Sequence, residues 1–183
     1  LLTGVTVWTF GYDSNGRLSS LADRMGRVTR VEHDIAGNIT GIVTPNNIRT
    51  EITTDSNGLI SSVTSPTAKT YSMVYDQTDL LTFLRGPANN EHTYEYNEDG
   101  RLIADTRPNT GTISLSRTGT AQNYTVTKTS PEGRVTTYGF IADSSNDGGI
   151  KTISYSNGSQ MTMTYEGVGS RTVTYPSGIE HEM

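Results

Sequence analysis

The sequence repeats itself every 21 residues, and that period limits the fold more than any other feature of the chain. Asp13, Asp34, Asp55, Asp76, Asn97 and Thr118 stand 21 positions apart. Three positions after the anchor comes a glycine in four copies, Gly16, Gly37, Gly58 and Gly100, with Asp79 and Ala121 in the other two. Five positions after it comes an aliphatic residue, Leu18, Ile39, Ile60, Leu81 and Leu102, a series that breaks at Asn123. A second mark, Pro45, Pro66, Pro87 and Pro108, keeps the same interval. Self-similarity of this length is the signature of a repeat architecture, in which each copy buries its apolar side only against its neighbours. Two turn signals per copy leave room for two short strands.

The residue types agree with strands. Hydrophobic residues make up 32% and charged residues 18% of the chain, and the polarity comes mainly from Thr, of which there are 30, with Ser, Asn and Gly. Thr, Val, Ile and Tyr favour strands and Gly and Asn favour turns, so the expectation is an all-β fold of roughly sixteen short strands. Units begin near Val5, Arg27, Ile48, Lys69, Asn90, Thr112 and Arg134, with a last one from Ser159, giving about eight in a single repeat domain over 1–183. Tyr138-Gly139 keeps the interval after Thr118, but the next match, Tyr165-Glu166, lies 27 residues beyond Gly139. The excess is expected in a loop insertion near 142–149, since lengthening a turn leaves a strand ladder untouched. The pattern starts and stops in mid-repeat, which predicts a fragment of a longer chain.

Turn chemistry explains the anchors. In DSNGR, Ser14-Asn15 suit the centre of a type I turn and Gly16 the left-handed position after it, a three-residue hairpin loop closing on a bulge. Asp13 then accepts backbone N–H groups of its own turn, and Arg17 faces it across the hairpin. Tyr12 is predicted opposite Leu18, with Phe10 on the same face. Stacked repeat on repeat, such pairs form ladders, each contact worth about 0.2–1 kcal/mol. Leu18 and Leu21, or Ile60 and Val63, are three apart and would face opposite ways in a straight strand; either the second strand is bulged or both faces are partly covered.

The motif Tyr-Asp-x-x-Gly-Arg-Leu, nearly intact in GYDSNGRL (11–18) and YEYNEDGRL (94–102), resembles the YD repeat, also called the RHS repeat. VEHDIAGNI, ITTDSNGLI and MVYDQTDLL are degraded copies, and the likeness weakens from about residue 112. The anchors it picks out are Tyr12, Asp13, Gly16, Arg17, Asp34, Gly37, Asp55, Gly58, Tyr75, Asp76, Tyr96, Asn97, Gly100 and Arg101. The resemblance implies hairpins joined edge to edge into a spiralling β-sheet strip. In bacterial polymorphic toxins, insecticidal toxin complexes and teneurins, such strips wall a hollow shell, which in the toxins encloses a cytotoxic segment. The self-cleaving region that ends the bacterial shells contains an Asp-Pro motif; no Asp-Pro occurs in this sequence.

Chemistry is sparse. His33, His92 and His181 have no metal-ligand spacing, there is no Cys, and neither a nucleophile elbow nor a P-loop occurs. The row Asp13, Asp34, Asp55, Asp76 is accounted for by its turns. Asp143, Ser145 and Asp147 imitate the start of a calcium loop, but the twelfth position is Ser154 where a bidentate Glu is needed. Trp8, Tyr71 and Tyr124 are candidate sugar-stacking platforms. A net charge of −5 with scattered Lys and Arg argues against nucleic acid, and no apolar run is long enough to span a membrane as a helix. The function expected is therefore a non-enzymatic structural segment of a secreted or surface-exposed shell, without cofactor. Its expected partners are neighbouring repeats and an enclosed toxin segment. The alternative is an adhesin or carbohydrate-binding module. Two exposed sheet edges predict edge-to-edge self-association.

Overall fold

A computed structural model describes residues 7–143, 148–166 and 169–182. The chain forms two compact units that divide between Glu91 and His92. The first holds β1 (Trp8–Tyr12), β2 (Leu18–Asp23), β3 (Val28–His33), β4 (Ile39–Val43), β5 (Arg49–Thr54), β6 (Ile60–Thr64), β7 (Thr70–Tyr75) and β8 (Leu81–Arg85). The second holds β9 (Glu91–Tyr96, whose first residue ends the first unit), β10 (Leu102–Arg107), β11 (Gly111–Gly119), β12 (Asn123–Thr129), β13 (Val135–Ala142), β14 (Gly149–Ser154), β15 (Gln160–Glu166), β16 (Ser170–Thr174) and β17 (Glu180–Glu182). Within each unit every strand pairs antiparallel with the next. The described residues contain no α-helix.

The hairpins are built as their sequences require. Asp13 N–H donates to the Arg17 carbonyl at 2.9 Å and Gly16 N–H to the Asp13 carbonyl at 3.0 Å. The same two bonds recur from Asp23, Asp34, Thr44, Asp55, Ser65, Asp76, Gly86 and Asn97. The fourth residue of each loop is left-handed, which glycine adopts freely: φ is 76° at Gly16 and 101° at Gly37. Ala68, at φ 58°, has no such freedom. Pro45, Pro66 and Pro87 stand at the first central position, where their fixed φ suits a type I turn.

One extra residue per repeat sets which side chains share a face. Tyr12 pairs with Leu18 and Gly11 with Ser20, so Ser19 is bulged out and Leu21 lands opposite Phe10. Thr40, Ser61, Thr82 and Ile103 are bulged in the same way. The bulge decides between the two alternatives left by the sequence: residues three apart, such as Leu18 and Leu21, lie on one face because the strand between them kinks. In the first unit that face carries Phe10, Tyr12, Leu18, Leu21, Val31, Ile42, Ile52, Val63, Met73 and Leu84, while Ser20, Arg30, Glu32, Glu51, Thr64 and Ser72 occupy the other.

The core is thin, as a single layer must be. Among the described residues only three apolar side chains are buried: Val43, Ile52 and Val173, at 5, 7 and 2% exposure. Val43 lies on the polar face, paired across the sheet with Arg30 and Arg49, whose stems flank it. The Arg49 guanidinium lies over Gly41, where an added Cβ would fall 2.9 Å from Nη2, and bonds Glu32 at 2.8 Å.

The last third departs from the expected register. Thr118 does not open a turn; β11 runs through it, and the turn falls at Thr120, whose N–H donates to the Asn123 carbonyl at 2.7 Å. Gly139 likewise lies within β13. Strands β11 to β13 are seven to nine residues long and pair without a bulge, so sequence registers counted from the shorter strands run out of step with them.

Candidate functional site

The anchor residues of the repeated motif bond the backbone of their own turns. Asp13 Oδ1 accepts the N–H groups of Asn15 and Arg17, both at 2.9 Å, and Oδ2 accepts from Arg17 Nε at 2.7 Å. Asp34 accepts from Gly37 N–H at 2.7 Å and Asn38 N–H at 2.9 Å; Asp55 accepts from Asn57 and Leu59; Asp76 from Thr78 and Leu80; Asn97 from Asp99 and Arg101. At Asp13, Asp34 and Asp76 these bonds favour the ionised form. The Arg17 N–H lowers the Asp13 carboxyl below its ordinary value, the Asn38 N–H that of Asp34, and the Thr78 hydroxyl that of Asp76. Arg101 pairs with Asp99 rather than with the anchor, which here is an uncharged Asn97.

The motif also links successive repeats. The Arg17 guanidinium lies over Gly37 of the equivalent turn in the following repeat, where a Cβ would come 2.8 Å from Nη1, and Asn38 Oδ1 would stand 3.3 Å from a Cβ on Gly58. Tyr75 Oη donates to the Ile60 carbonyl at 2.9 Å, the residue before the Ser61 bulge. Tyr12 and Tyr96 pair with Leu18 and Leu102 in the equivalent place. Gly100, like Gly16 and Gly58, takes the left-handed position, at φ 72°.

The sugar-stacking candidates are not brought together. Trp8 and Tyr71 stand on β1 and β7 of the first unit, at the same repeat position but on strands that do not pair. Tyr124 belongs to the second unit, where Phe140 tilts against it at 5.5 Å and the Arg117 guanidinium covers its face at 4.2 Å. Of the calcium candidates, Ser145 and Asp147 lie outside the described residues, and Asp143 N–H donates to the Gly148 carbonyl at 3.2 Å. No group of three or more metal-ligating side chains occurs among the described residues.

One cluster escaped sequence reasoning. Asp105 holds the ladder position that Leu21, Ile42, Val63 and Leu84 fill in earlier repeats. Its carboxylate meets Arg107 Nε at 2.7 Å and His92 Nδ1 at 3.2 Å, and only 13% of the side chain is exposed. Burial raises its pKa, but the bonds from Arg107 and His92 outweigh that, and the carboxyl titrates below its ordinary value. His92 stacks on Tyr94, whose hydroxyl is pushed up by burial and by the Asp105 charge. A carboxylate in an aliphatic series was the signal that could have revealed it.

Consecutive antiparallel hairpins, up to β10 of one period with one bulge per repeat, define a tandem β-hairpin repeat protein. The chain belongs to the teneurin YD-shell family, whose model matches residues 1–183. No curated protein matches the sequence significantly. Among solved structures, the Photorhabdus luminescens Tc holotoxin pore with a mutant TccC3 overlaps 96% of this chain and 9% of that one, at 12% identity and a TM-score of 0.49. The TcdB2-TccC3-Cdc42 structure overlaps 96% and 9%, at 15% identity and a TM-score of 0.48. TcdB2-TccC3 overlaps 96% and 10%, at 14% identity and the same TM-score. The chain thus spans about a tenth of the length of these structures.

Proposed function

We propose that this chain is a non-enzymatic wall segment, a run of about eight repeats within a larger secreted or surface-exposed YD shell. Its partners are the neighbouring repeats of the parent chain and a polypeptide, toxin-like in kind, that the shell encloses. The observation that carries this reading is the use of the motif side chains. Asp13 and Asp34 cap their own turns, Arg17 and Asn38 reach the equivalent turn of the following repeat, and Tyr75 ties its strand to the preceding repeat. Residues so engaged transmit one hairpin's geometry to the next and have no capacity left for substrate. Electron microscopy of the parent protein tests the reading: a hollow particle with these repeats in its wall is expected. A solid particle, or repeats extending freely into solvent, would refute it.

A further inference from the structure

Charge divides between the faces of the second unit in a way that wall-building does not require. Two rows of paired residues cross β11 to β16 on the apolar face: Tyr124, Phe140, Lys151, Met163 and Val173, and beside them Arg117, Val126, Tyr138, Ile153 and Met161. Lys128 shares this face through its pairing with Leu115; Asp105, opposite Ile113, brings a carboxylate to its β10 side that Arg107 and His92 already hold, and the other pairings of β11 to β16 bring none. Arg117, Lys128 and Lys151 form no ion pair among the described residues. The opposite face carries Ser116, Thr125, Thr127, Thr137, Thr152 and Glu166. A chain of net charge −5 thus presents a face that is cationic and apolar together.

That face is also indented. Tyr124, Tyr138, Phe140, Ile153, Met161 and Met163 line a groove of about 160 Å³ with Lys151 at its rim. The volume is below the roughly 300–1,000 Å³ of sites for drug-sized ligands, and suits single apolar side chains. Ring faces that would stack on a sugar or a base are already taken, Tyr124 by Arg117 at 4.2 Å and Tyr165 by Lys151 at 4.6 Å. The two methionines let the groove adapt to side chains of differing shape.

We propose that the β12–β15 groove docks an acidic polypeptide segment bearing large apolar side chains. The apolar groups enter between Phe140, Ile153 and Met163, while carboxylates on the same segment meet Arg117, Lys128 and Lys151. Complementary charge of this kind sets specificity and association rate, and the apolar floor sets residence time. This inference stands apart from the shell reading, because it concerns one face of one unit.

The test is fluorescence polarisation with the 183-residue chain and a labelled peptide of alternating Glu and Leu. Micromolar binding that weakens with salt is expected, with an alternating Lys and Leu peptide at least about tenfold weaker. Lys151→Glu and Arg117→Glu should each cost about tenfold, and Thr152→Glu on the opposite face should not. Lys151→Met, which keeps the apolar stem, should show an intermediate loss and serves if the charge reversal fails to fold. Equal binding of the Lys peptide, of an oligothymidylate, of heparin or of phosphatidylserine vesicles would overturn the proposal. So would wild-type affinity in Lys151→Met.

Discussion

Replacing Asp105 by leucine should restore the apolar ladder and stabilise the protein, although it removes the polar contacts to Arg107 and His92. Fully burying a leucine side chain contributes about 1.5–3 kcal/mol. The site admits water to only 13% of the present side chain, but a single sheet layer packs it from few directions, so about 1–2 kcal/mol is a fair expectation. Against this stands the loss of the bonds to Arg107 and His92. Those partners are 47 and 30% exposed, and solvent screening limits each contact to about 0.5 kcal/mol. The expected net gain at pH 7 is about 0.5 kcal/mol. The pH dependence is the sharper check. A carboxyl whose folded pKa is lowered contributes stability above its unfolded pKa, and loses it as the pH falls through the folded value. The advantage of Asp105→Leu should therefore widen to about 1–2 kcal/mol at pH 2, while the turn aspartates, common to both proteins, cancel in the difference. Urea unfolding followed by far-UV circular dichroism gives both values, with unchanged m-values as the check that unfolding remains comparable. A variant less stable than wild type by over about 1 kcal/mol at pH 7, or a difference that ignores pH, would refute the ladder assignment.

Three further expectations concern the turns and the edges. Ala68→Gly relieves a left-handed alanine, a strain of about 1–2 kcal/mol offset by about 0.4–1 kcal/mol of glycine chain entropy, so the melting temperature should rise by a few degrees; a fall would show that the turn relaxes some other way. Asp13, Asp23, Asp34 and Asp76 all titrate below the ordinary carboxylate value, so thermal stability should hold down to about pH 4 and decline below it, with a smaller decline in Asp34→Asn. Self-association should begin at β1, whose Trp8, Phe10 and Tyr12 are more than half exposed; Phe10→Lys should leave a monomer by light scattering at concentrations where the wild type associates.

The regular turns were legible because each is local. An aspartate whose carboxylate reaches backbone two and four residues on, and a glycine in a left-handed position, need nothing from the rest of the chain, so GYDSNGRL already contains its hairpin. The pairing of Tyr12 with Leu18 follows from that loop alone. Asp23 was less visible, since its copies at Thr44, Ser65 and Gly86 share a turn geometry without sharing a side chain. The facing of Leu21 was not decidable, because a bulge at Ser19 depends on the partner strand.

Beyond β10 the limits have a different cause. A strict period identifies side chains only while strand lengths stay constant, and β11, at nine residues, ends that constancy. Thr118 and Gly139 fall at the correct interval and inside strands, so there the count no longer reports on turns. The same freedom lets the second unit specialise. Uniform short repeats must reuse each position for the ladder, and Asp105 shows the consequence: a charge there needs His92 and Arg107 to hold it. Strands that pair without a bulge put different positions on each face: Arg117, Lys128 and Lys151 stand in the paired rows of one face with no carboxylate directly opposite them, a pattern invisible until the pairing is known. Deleting Asp34–Thr54, one full period, should test how far this division goes. The first unit should refold one repeat shorter with the peptide affinity of the second unaltered, whereas deleting Asp34–Val43 reverses the direction of every later strand and should abolish cooperative unfolding. Loss of peptide binding in the 21-residue deletion would show that the groove depends on the repeats before it, and that the two strand geometries are not independent.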